Sequence, residues 1–137
     1  MNISNKLGWP RIEIFYWTHR DKSISISFFI NEILFDISAK SLPYEEVLVE
    51  IEEDFAKNTL MKQDYDLLHC LSLSEERLKE PVIGCYWADN SVILIDGTHR
   101  YIRHYMDRRK TIVYRLIKYQ DWQRAKYSRI MRGKLPQ

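Results

Sequence analysis

The sequence predicts an α+β fold, in which a small mixed sheet is covered by roughly three or four helices. Residues 23–29 alternate serine with isoleucine or phenylalanine, which is the period of a strand with one solvated face. Residues 92–95 are four aliphatic residues in a row, as in a strand buried on both faces. Ser74 and Thr98 stand before helix-forming stretches, where an N-cap residue is expected.

Length and composition predict one domain. The chain has 137 residues, of which 45% are apolar, and this is enough to build a hydrophobic core. We expect a single domain over residues 1–137, with residues 1–30 as an N-terminal hairpin extension and residues 118–137 as a basic helical tail. The sequence has neither a run of about twenty apolar residues nor the apolar core of a signal peptide. We therefore expect a cytoplasmic protein with no membrane partner.

The charges are unevenly distributed. Residues 100–137 contain 12 Lys or Arg and 2 Asp or Glu, which leaves 9 and 17 for residues 1–99. This asymmetry favours either a polyanionic partner for the C-terminal part or electrostatic attraction between the two parts. The two cysteines, Cys70 and Cys85, are far apart and lack zinc-ligand spacing, so we expect buried thiols in a reducing compartment.

The first part of the chain predicts strands followed by a helix. Residues 11–17 and 23–29 flank a polar turn and are expected to form a hairpin. Residues 31–38 are another apolar stretch and predict a third strand. Pro43 favours the first turn of a helix, since its missing N–H is harmless there, and this helix is expected to continue through Phe55.

The second part of the chain predicts alternating helices and strands. Residues 61–71 predict a short helix, and Ser74 begins another that Pro81 ends. The following elements are predicted as a strand over 82–87, a turn over 88–91, a strand over 92–95, a helix over 101–108, a strand over 112–117 and a helix over 121–131. The two hairpins and the 112–117 strand together would form the mixed sheet.

The segment Asp96-Gly97-Thr98-His99-Arg100 joins the 92–95 strand to the next helix. The first turn of a helix has unpaired N–H groups and partial positive charge, and Gly97 lets a ligand approach the backbone. Thr98 supplies a hydroxyl, His99 an imidazole, and Arg100 a guanidinium that suits a phosphate. Such a junction predicts an anion site.

Two further residues complete this hypothesis. Asp96, at the end of a buried strand, is placed to hold a divalent cation or to orient a nucleophile. Arg103 lies three residues after Arg100, so both guanidinium groups are expected to reach the same phosphate. The alternative interpretation is a simple turn in which Thr98 acts only as a helix cap while His99 and Arg100 are solvated.

Residues 81–117 resemble the ParB/sulfiredoxin superfamily, whose hallmark is a hairpin that ends in a D-G-x-H-R signature, followed by a helix, a basic turn and a strand. Residues 96–100 match this signature at every fixed position. The form is similar to that of free-serine kinases, of DGQHR-type proteins in DNA-modification systems and of small phage or plasmid proteins. Thr98 stands where a sulfiredoxin has its reactive cysteine, so the resemblance does not imply that activity. The two-arginine form of the partition proteins is also absent.

The resemblance implies a phosphotransferase or a nuclease with a nucleotide site. It implies that ATP, ADP or CTP binds with Mg²⁺, with Asp96 as the metal ligand and the phosphates held by Gly97, Thr98, His99, Arg100 and Arg103. Asp96 and His99 are the implied catalytic residues at the junction. In the kinase branch a glutamate early in the chain is catalytic, and Glu45 or Glu46 would take that role as a general base facing Asp96. A phage-encoded protein would act in the host cytoplasm.

Two other classes of function stay open. The first is a non-catalytic nucleic-acid-binding or regulatory protein of phage or plasmid type, which would contact DNA or RNA through Arg108, Arg109, Lys110, Arg124, Lys126 and Arg129. The aromatic residues among the basic residues of the tail fit this function, and they equally fit an amphipathic helix packed by its aromatic side chains. The second is a protein-interaction or inhibitor protein, whose interface would be the acidic helix Glu45–Asp54 and the Trp- and Tyr-rich surface.

Overall fold

The structure is a computed structural model that describes residues 12–62 and 67–137, and it has the predicted α+β fold. In chain order the elements are β1 (Ile14–Thr18), β2 (Ser25–Phe29), α1 (Ile30–Ser38), β3 (Glu45–Glu50), α2 (Glu53–Leu60), α3 (Leu67–Leu71), α4 (Glu75–Lys79), β4 (Val82–Tyr86), β5 (Val92–Asp96), α5 (Thr98–Met106), β6 (Thr111–Ile117), α6 (Tyr119–Trp122) and β7 (Ser128–Arg132). The chain divides into two compact units. One is Tyr44–Ile117, and the other combines the described part of Met1–Pro43 with Lys118–Gln137.

The unit that contains both ends of the described chain is built on a three-stranded antiparallel sheet in the order β1-β2-β7. β1 and β2 form the predicted N-terminal hairpin, with Phe15 opposite Phe28 and Trp17 opposite Ile26. Phe28 and Trp122 are fully buried, and their ring centroids lie 5.2 Å apart. The core of this unit therefore forms against the central strand, β2.

The segment after β2 is a helix, and the strand predicted over residues 31–38 is wrong. α1 buries Ile30, Ile33 and Ile37, whereas Phe35 between them is 70% exposed. Spacings of three and four residues place the isoleucines on one helical face. The stretch also contains consecutive apolar residues, which fit a buried strand equally well, so the local pattern does not separate the two structures.

β3 occupies the beginning of the helix predicted from Pro43 to Phe55, so this prediction is also wrong. Within β3, Val47 and Val49 are half-buried and their neighbours are exposed. Val47 lies opposite Tyr114 and Val49 opposite Ile112 on β6. β-branched residues at alternate positions pack well on a pleated surface, and this outweighs the helix-start signal of proline followed by glutamates. The helix that does form here, α2, begins only at Glu53.

The basic tail forms a strand in the segment where we predicted a helix over residues 121–131. Only the short α6 is helical, and β7 pairs antiparallel with β2, with Ile130 opposite Ile26 and Ser128 opposite Phe28. The helix prediction is wrong because ladder hydrogen bonds to a strand near the other end of the chain decide the conformation. Pairing between strands so far apart in the chain produces no local pattern in the sequence from which β7 could be predicted.

The second unit has a four-stranded sheet in the order β3-β6-β4-β5. β4 and β6 are parallel, and the other neighbours are antiparallel. The predicted mixed sheet exists in this unit, but the N-terminal hairpin belongs to the other sheet. α5 packs against α2, α3 and α4. The core of this unit consists of Ala56, Cys70, Val82, Leu94, Tyr101, Ile102, Ile112, Tyr114 and Leu116.

Most local predictions in this second unit are confirmed. The predicted strands appear as β4, β5 and β6, and the helix after the junction appears as α5. Ser74 caps α4, since its side chain accepts a hydrogen bond from the backbone N–H of Arg77 at 3.2 Å. α3 confirms the end of the helix predicted over residues 61–71, of which residues 63–66 lie outside the described residues.

Candidate functional site

The junction between β5 and α5 depends on Gly97. Its φ of +98° is a left-handed conformation that side chains disfavour. A Cβ at this position would lie 2.6 Å from Val82 Cγ1 and 2.8 Å from Arg100 Nη2. Backbone conformation and space therefore both require glycine here, and the Arg100 guanidinium lies directly against this part of the backbone.

The start of α5 is not capped by a side chain in the described structure. Gly97 is the N-cap residue and Thr98 is the first helical residue, so the predicted capping role of Thr98 is wrong. The first hydrogen bond of the helix runs from the Tyr101 N–H to the Gly97 carbonyl, at 2.9 Å. The preceding N–H groups, those of Thr98, His99 and Arg100, have no carbonyl within the helix to bind. They form the positive end of the helix dipole.

Arg100 is an internal residue, with only 6% of its surface exposed. Its Nη1 lies 3.5 Å from Glu80 Oε2, and its Nη2 lies 3.5 Å from Asp96 Oδ2. Nη2 also donates to the carbonyl of Pro81 at 3.3 Å. These contacts are at the long end of hydrogen-bond distances, and the buried Nε has no hydrogen-bond partner among the described residues. The guanidinium therefore links the ends of α4 and β5 and keeps unused donor capacity.

Arg103 has different partners from Arg100. Its Nε lies 3.2 Å from Asp107 Oδ2, and its Nη1 donates to the carbonyl of Leu71 at 3.1 Å. These contacts attach the end of α3 to α5. The structure thus directs the two guanidinium groups to separate places, in contrast to the predicted contact of both with one phosphate.

His99 lies beside a second histidine, His69, which is not among the predicted site residues. The rings of His69 and His99 have centroids 4.4 Å apart and meet at 61°. The carbonyl of His99 accepts a hydrogen bond from the buried Cys70 thiol at 3.4 Å. His69 and Glu80 are the residues at this junction that sequence reasoning missed. Both come from elements earlier in the chain, and no local motif marks them.

Glu45 and Glu46 do not lie at the junction, so their predicted position facing Asp96 is wrong. They belong to β3, at the edge of the sheet opposite β5. Glu46 on β3 pairs with Arg115 on β6, Arg115 pairs with Ile83 on β4, and Ile83 pairs with Asp96 on β5. Three strand spacings of roughly 5 Å each therefore separate Glu46 from Asp96. The misplacement follows from the wrong secondary structure, because a helix opening here would have left the carboxylates free to face the junction.

Both glutamates have other partners. Glu46 Oε1 lies 3.2 Å from Arg115 Nε. Glu45 accepts a hydrogen bond from the Tyr86 hydroxyl, and this bond raises the pKa of Tyr86 to about 12. Because the phenol donates to a carboxylate, its deprotonation would place two negative charges side by side.

The six basic residues predicted to contact nucleic acid are divided equally between the two units. Arg108, Arg109 and Lys110 form the exposed turn between α5 and β6, whereas Arg124, Lys126 and Arg129 belong to the other unit. Lys126 Nζ lies 2.8 Å from Asp36 Oδ2, and Arg124 Nη2 lies 3.9 Å from Asp121 Oδ1. Arg129 is exposed on β7.

A metal ion would find few protein ligands at the junction. The described residues contain no group of three or more His, Cys, Asp or Glu side chains that could hold one. Asp96 and Glu80 provide two carboxylates, both shared with Arg100. This donor set fits Mg²⁺ only when phosphate oxygens complete the coordination, as in Mg²⁺–nucleotide sites.

The chain matches no protein-family model, no curated protein and no solved structure. Among the described residues, no helix is long and apolar enough to cross a membrane. The candidate site therefore rests on the geometry of the β5–α5 junction.

Proposed function

We propose that this protein binds the phosphate group of a nucleotide at the β5–α5 junction. The observation that carries the proposal is the uncapped start of α5 at Gly97, with the buried guanidinium of Arg100 packed against it. The N–H groups in the first turn of a helix bind oxyanions, and a charged donor beside them strengthens that binding. The buried Nε of Arg100 has no hydrogen-bond partner among the described residues, so the protein does not saturate this cation.

The phosphates of ATP, ADP or CTP would occupy the space outside Thr98 and His99. Asp96, with Glu80, would supply the protein carboxylates for Mg²⁺, which would also bind the phosphates and neutralise part of their charge. Cys70 and Cys85 are buried and form no disulfide, which favours a reducing compartment such as the cytoplasm. The D-G-T-H-R segment supports assignment to the ParB/sulfiredoxin type as part of the same proposal.

A reaction at this site would need a base other than Glu45 or Glu46. Of the predicted catalytic residues, Asp96 and His99 lie at the junction, and the carboxylate of Asp96 is paired with Arg100. A phosphotransferase or nuclease would therefore use His99 for proton transfer, with His69 against its ring. Binding is the primary proposal, and either reaction depends on it.

The test is a calorimetric titration of the protein with ATP, ADP and CTP, with and without Mg²⁺, on wild type and on Thr98→Glu. A carboxylate in the first turn favours the helix dipole, so this variant should stay folded, but it repels an anion at the same N–H groups. Thr98→Gln is the matched neutral control. We expect saturable binding in wild type and in the control, and at least about tenfold weaker binding in Thr98→Glu, which corresponds to about 1.4 kcal/mol. Equal affinity in all three proteins would overturn the proposal.

Nucleic-acid binding is the second candidate, and one observation favours it. The turn Arg108-Arg109-Lys110 is exposed, and none of the three side chains forms an ion pair within the part of the chain that the structure describes. Three free cations in a row suit a phosphate backbone. The measurement is the affinity for single- and double-stranded DNA and RNA at several salt concentrations. A steep decrease with salt supports this function, whereas flat dependence or absence of binding contradicts it.

A further inference from the structure

A cleft lies at the end of α5 that is distant from Gly97. It has a volume of about 360 Å³ and is lined by Glu53, Tyr105, Met106, Arg108 and Arg109. All five residues belong to one compact unit. Because α5 has nine residues, its two ends are separated by roughly 13 Å. A ligand in this cleft would therefore bind independently of one at the β5–α5 junction.

The lining combines cations with an aromatic wall. Arg108 and Arg109 are exposed and form no ion pair with any described residue. The carboxylate of Glu53 lies 3.0 Å from Lys57 Nζ, which offsets its charge. Tyr105 and Met106 are half-buried and line the cleft, and the Met106 sulfur lies 4.0 Å from the buried Cys70 sulfur. Such a lining suits a ligand with one flat apolar part and one strongly anionic part.

The backbone of Arg108 sets the course of the chain at the cleft. This residue has a φ of +62°, and its N–H donates to the Tyr105 carbonyl at 2.9 Å. The N–H of Arg109 donates to the carbonyl of His104 at 3.0 Å, so the two bonds end α5 in the way that glycine usually does. A residue with a side chain is disfavoured in this conformation, which also occurs at Lys40 after α1. The turn therefore places Arg108 and Arg109 beside the end of α5, where both line the cleft.

We propose that this cleft binds one nucleotide, with its base against Tyr105 and its phosphate paired with Arg108 and Arg109. Stacking on the tyrosine ring accepts any base, and two guanidinium groups hold the phosphate. Glu53 lies at the rim, where its carboxylate accepts a hydrogen bond from a base amino group. The nucleotide is either free or one unit of a single strand, since both have the same chemistry.

The test compares Arg108→Gly with Lys62→Ala in calorimetric titrations. Both are made in the Thr98→Glu background, so that binding at the β5–α5 junction does not contribute. Arg108→Gly removes the proposed phosphate contact and relieves the disfavoured backbone, so its melting temperature should rise while its binding weakens. Lys62 is an exposed cation of the same unit that does not line the cleft, so Lys62→Ala is the control for a loss of charge alone. The ligands are cytidine 5′-monophosphate, cytidine, inorganic phosphate and a short oligodeoxycytidylate.

We expect the nucleotide to bind more tightly than either cytidine or phosphate, because only the nucleotide engages both parts of the cleft. Arg108→Gly should weaken nucleotide binding by about tenfold or more, the equivalent of a charge-assisted hydrogen bond, and Lys62→Ala should have a much smaller effect. If only the oligonucleotide binds measurably, the ligand is a single strand, and if the mononucleotide binds as tightly as the oligonucleotide, the ligand is a free nucleotide. Undiminished affinity in Arg108→Gly, an equal loss in Lys62→Ala, or equal affinity for phosphate and nucleotide would each overturn the proposal.

Discussion

Arg100 extends back by one turn of α5 to Asp96, and its Nη2 lies 3.5 Å from Asp96 Oδ2. The arginine that the sequence marks as a phosphate ligand is thus also part of the protein interior. Its side chain holds together the end of β5, the end of α4 and the backbone at Gly97. Loss of function in an Arg100 variant would consequently have two causes, and stability must be measured before binding is interpreted.

Arg100→Met is expected to destabilise the fold. The substitution leaves Asp96 and Glu80 close together without their shared cation, and removal of one partner of a buried pair is strongly destabilising. Since both carboxylates retain some access to solvent, we expect a decrease of about 2–3 kcal/mol in the free energy of unfolding, measured by urea denaturation. Glu80→Gln is the control and should cost less than about 1 kcal/mol, because Glu80 is half exposed. A wild-type midpoint for Arg100→Met would show that the buried guanidinium does not stabilise the junction.

Gly97→Ala tests the shape of the junction. The added Cβ would be strained at a φ of +98° and would overlap with Val82 Cγ1. The left-handed conformation costs about 1–2 kcal/mol and the overlap a similar amount, so we expect a total loss of about 2–4 kcal/mol. Thermal or urea unfolding would measure this loss. Thr98→Ala, one residue later, adds no atom and should change stability by less than about 0.5 kcal/mol. Similar stability of the two variants would contradict the described backbone at Gly97.

The sequence predicted the β4–β5–α5–β6 segment well because its signals are local. A buried aliphatic run, a glycine at a sharp turn and a basic turn after the helix each act over a few residues. The prediction that Ser74 caps α4 is confirmed for the same reason, since a cap acts on the first turn of its own helix. The order of strands within the sheet has no such signal, because it depends on contacts between distant parts of the chain.

The candidate site was predicted only where it is continuous in sequence. Residues 96–100 are contiguous, so their proximity follows from the chain itself. The position of Glu45 depended on the conformation of residues 43–50. The prediction gave the helix-start signal at Pro43 more weight than the alternating valines, whereas the chain forms β3. Glu80 and His69 reach the junction through tertiary packing of α4 and α3 against α5, which no short pattern encodes.

Lys126 is expected to stabilise the fold whether or not it contacts nucleic acid. Asp36 is buried, and its Oδ2 accepts hydrogen bonds from Lys126 Nζ and the Tyr127 hydroxyl, at 2.8 Å and 2.6 Å. The contact with Lys126, followed by that with Tyr127, lowers the pKa of Asp36. This stabilisation is therefore present above the usual carboxylate pKa and is lost as the pH falls through the lowered pKa of Asp36.

Lys126→Ala should lower the unfolding midpoint at neutral pH and reduce the loss of stability on acidification. Arg129→Ala is the control, since it removes a cation from the same basic tail and Arg129 forms no ion pair with the described residues. Urea denaturation of both variants at neutral and acidic pH makes the comparison. If Arg129→Ala is as destabilising as Lys126→Ala, the contact with Asp36 is not the source of the effect.

The stability of this protein should decrease on mild acidification because of His104. The imidazole is buried, and its Nε2 lies 2.9 Å from the Leu78 carbonyl, which can only accept, so Nε2 carries the proton and Nδ1 is the unprotonated nitrogen. Nδ1 is buried and has no hydrogen-bond partner among the described residues. Burial is the main cause that lowers the pKa of His104, and the positive charges of Arg109 and Arg100 lower it further. The hydrogen bond to Leu78 and the charge of Asp107 act in the opposite direction.

A lowered histidine pKa has a definite consequence for stability. Below the usual histidine pKa of about 6.5, the unfolded chain takes up a proton that the folded protein does not, so the free energy of unfolding decreases until the pH passes the lowered pKa of His104. His104→Gln retains an N–H that can donate to Leu78 but does not titrate. We expect this variant to lose less stability than wild type between about pH 7.5 and about pH 5. Ile102→Val, a core substitution without a titrating group, should lose as much stability as wild type over this range. Thermal unfolding of the three proteins at both pH values measures the difference, and equal losses in all three would exclude His104 as the titrating group.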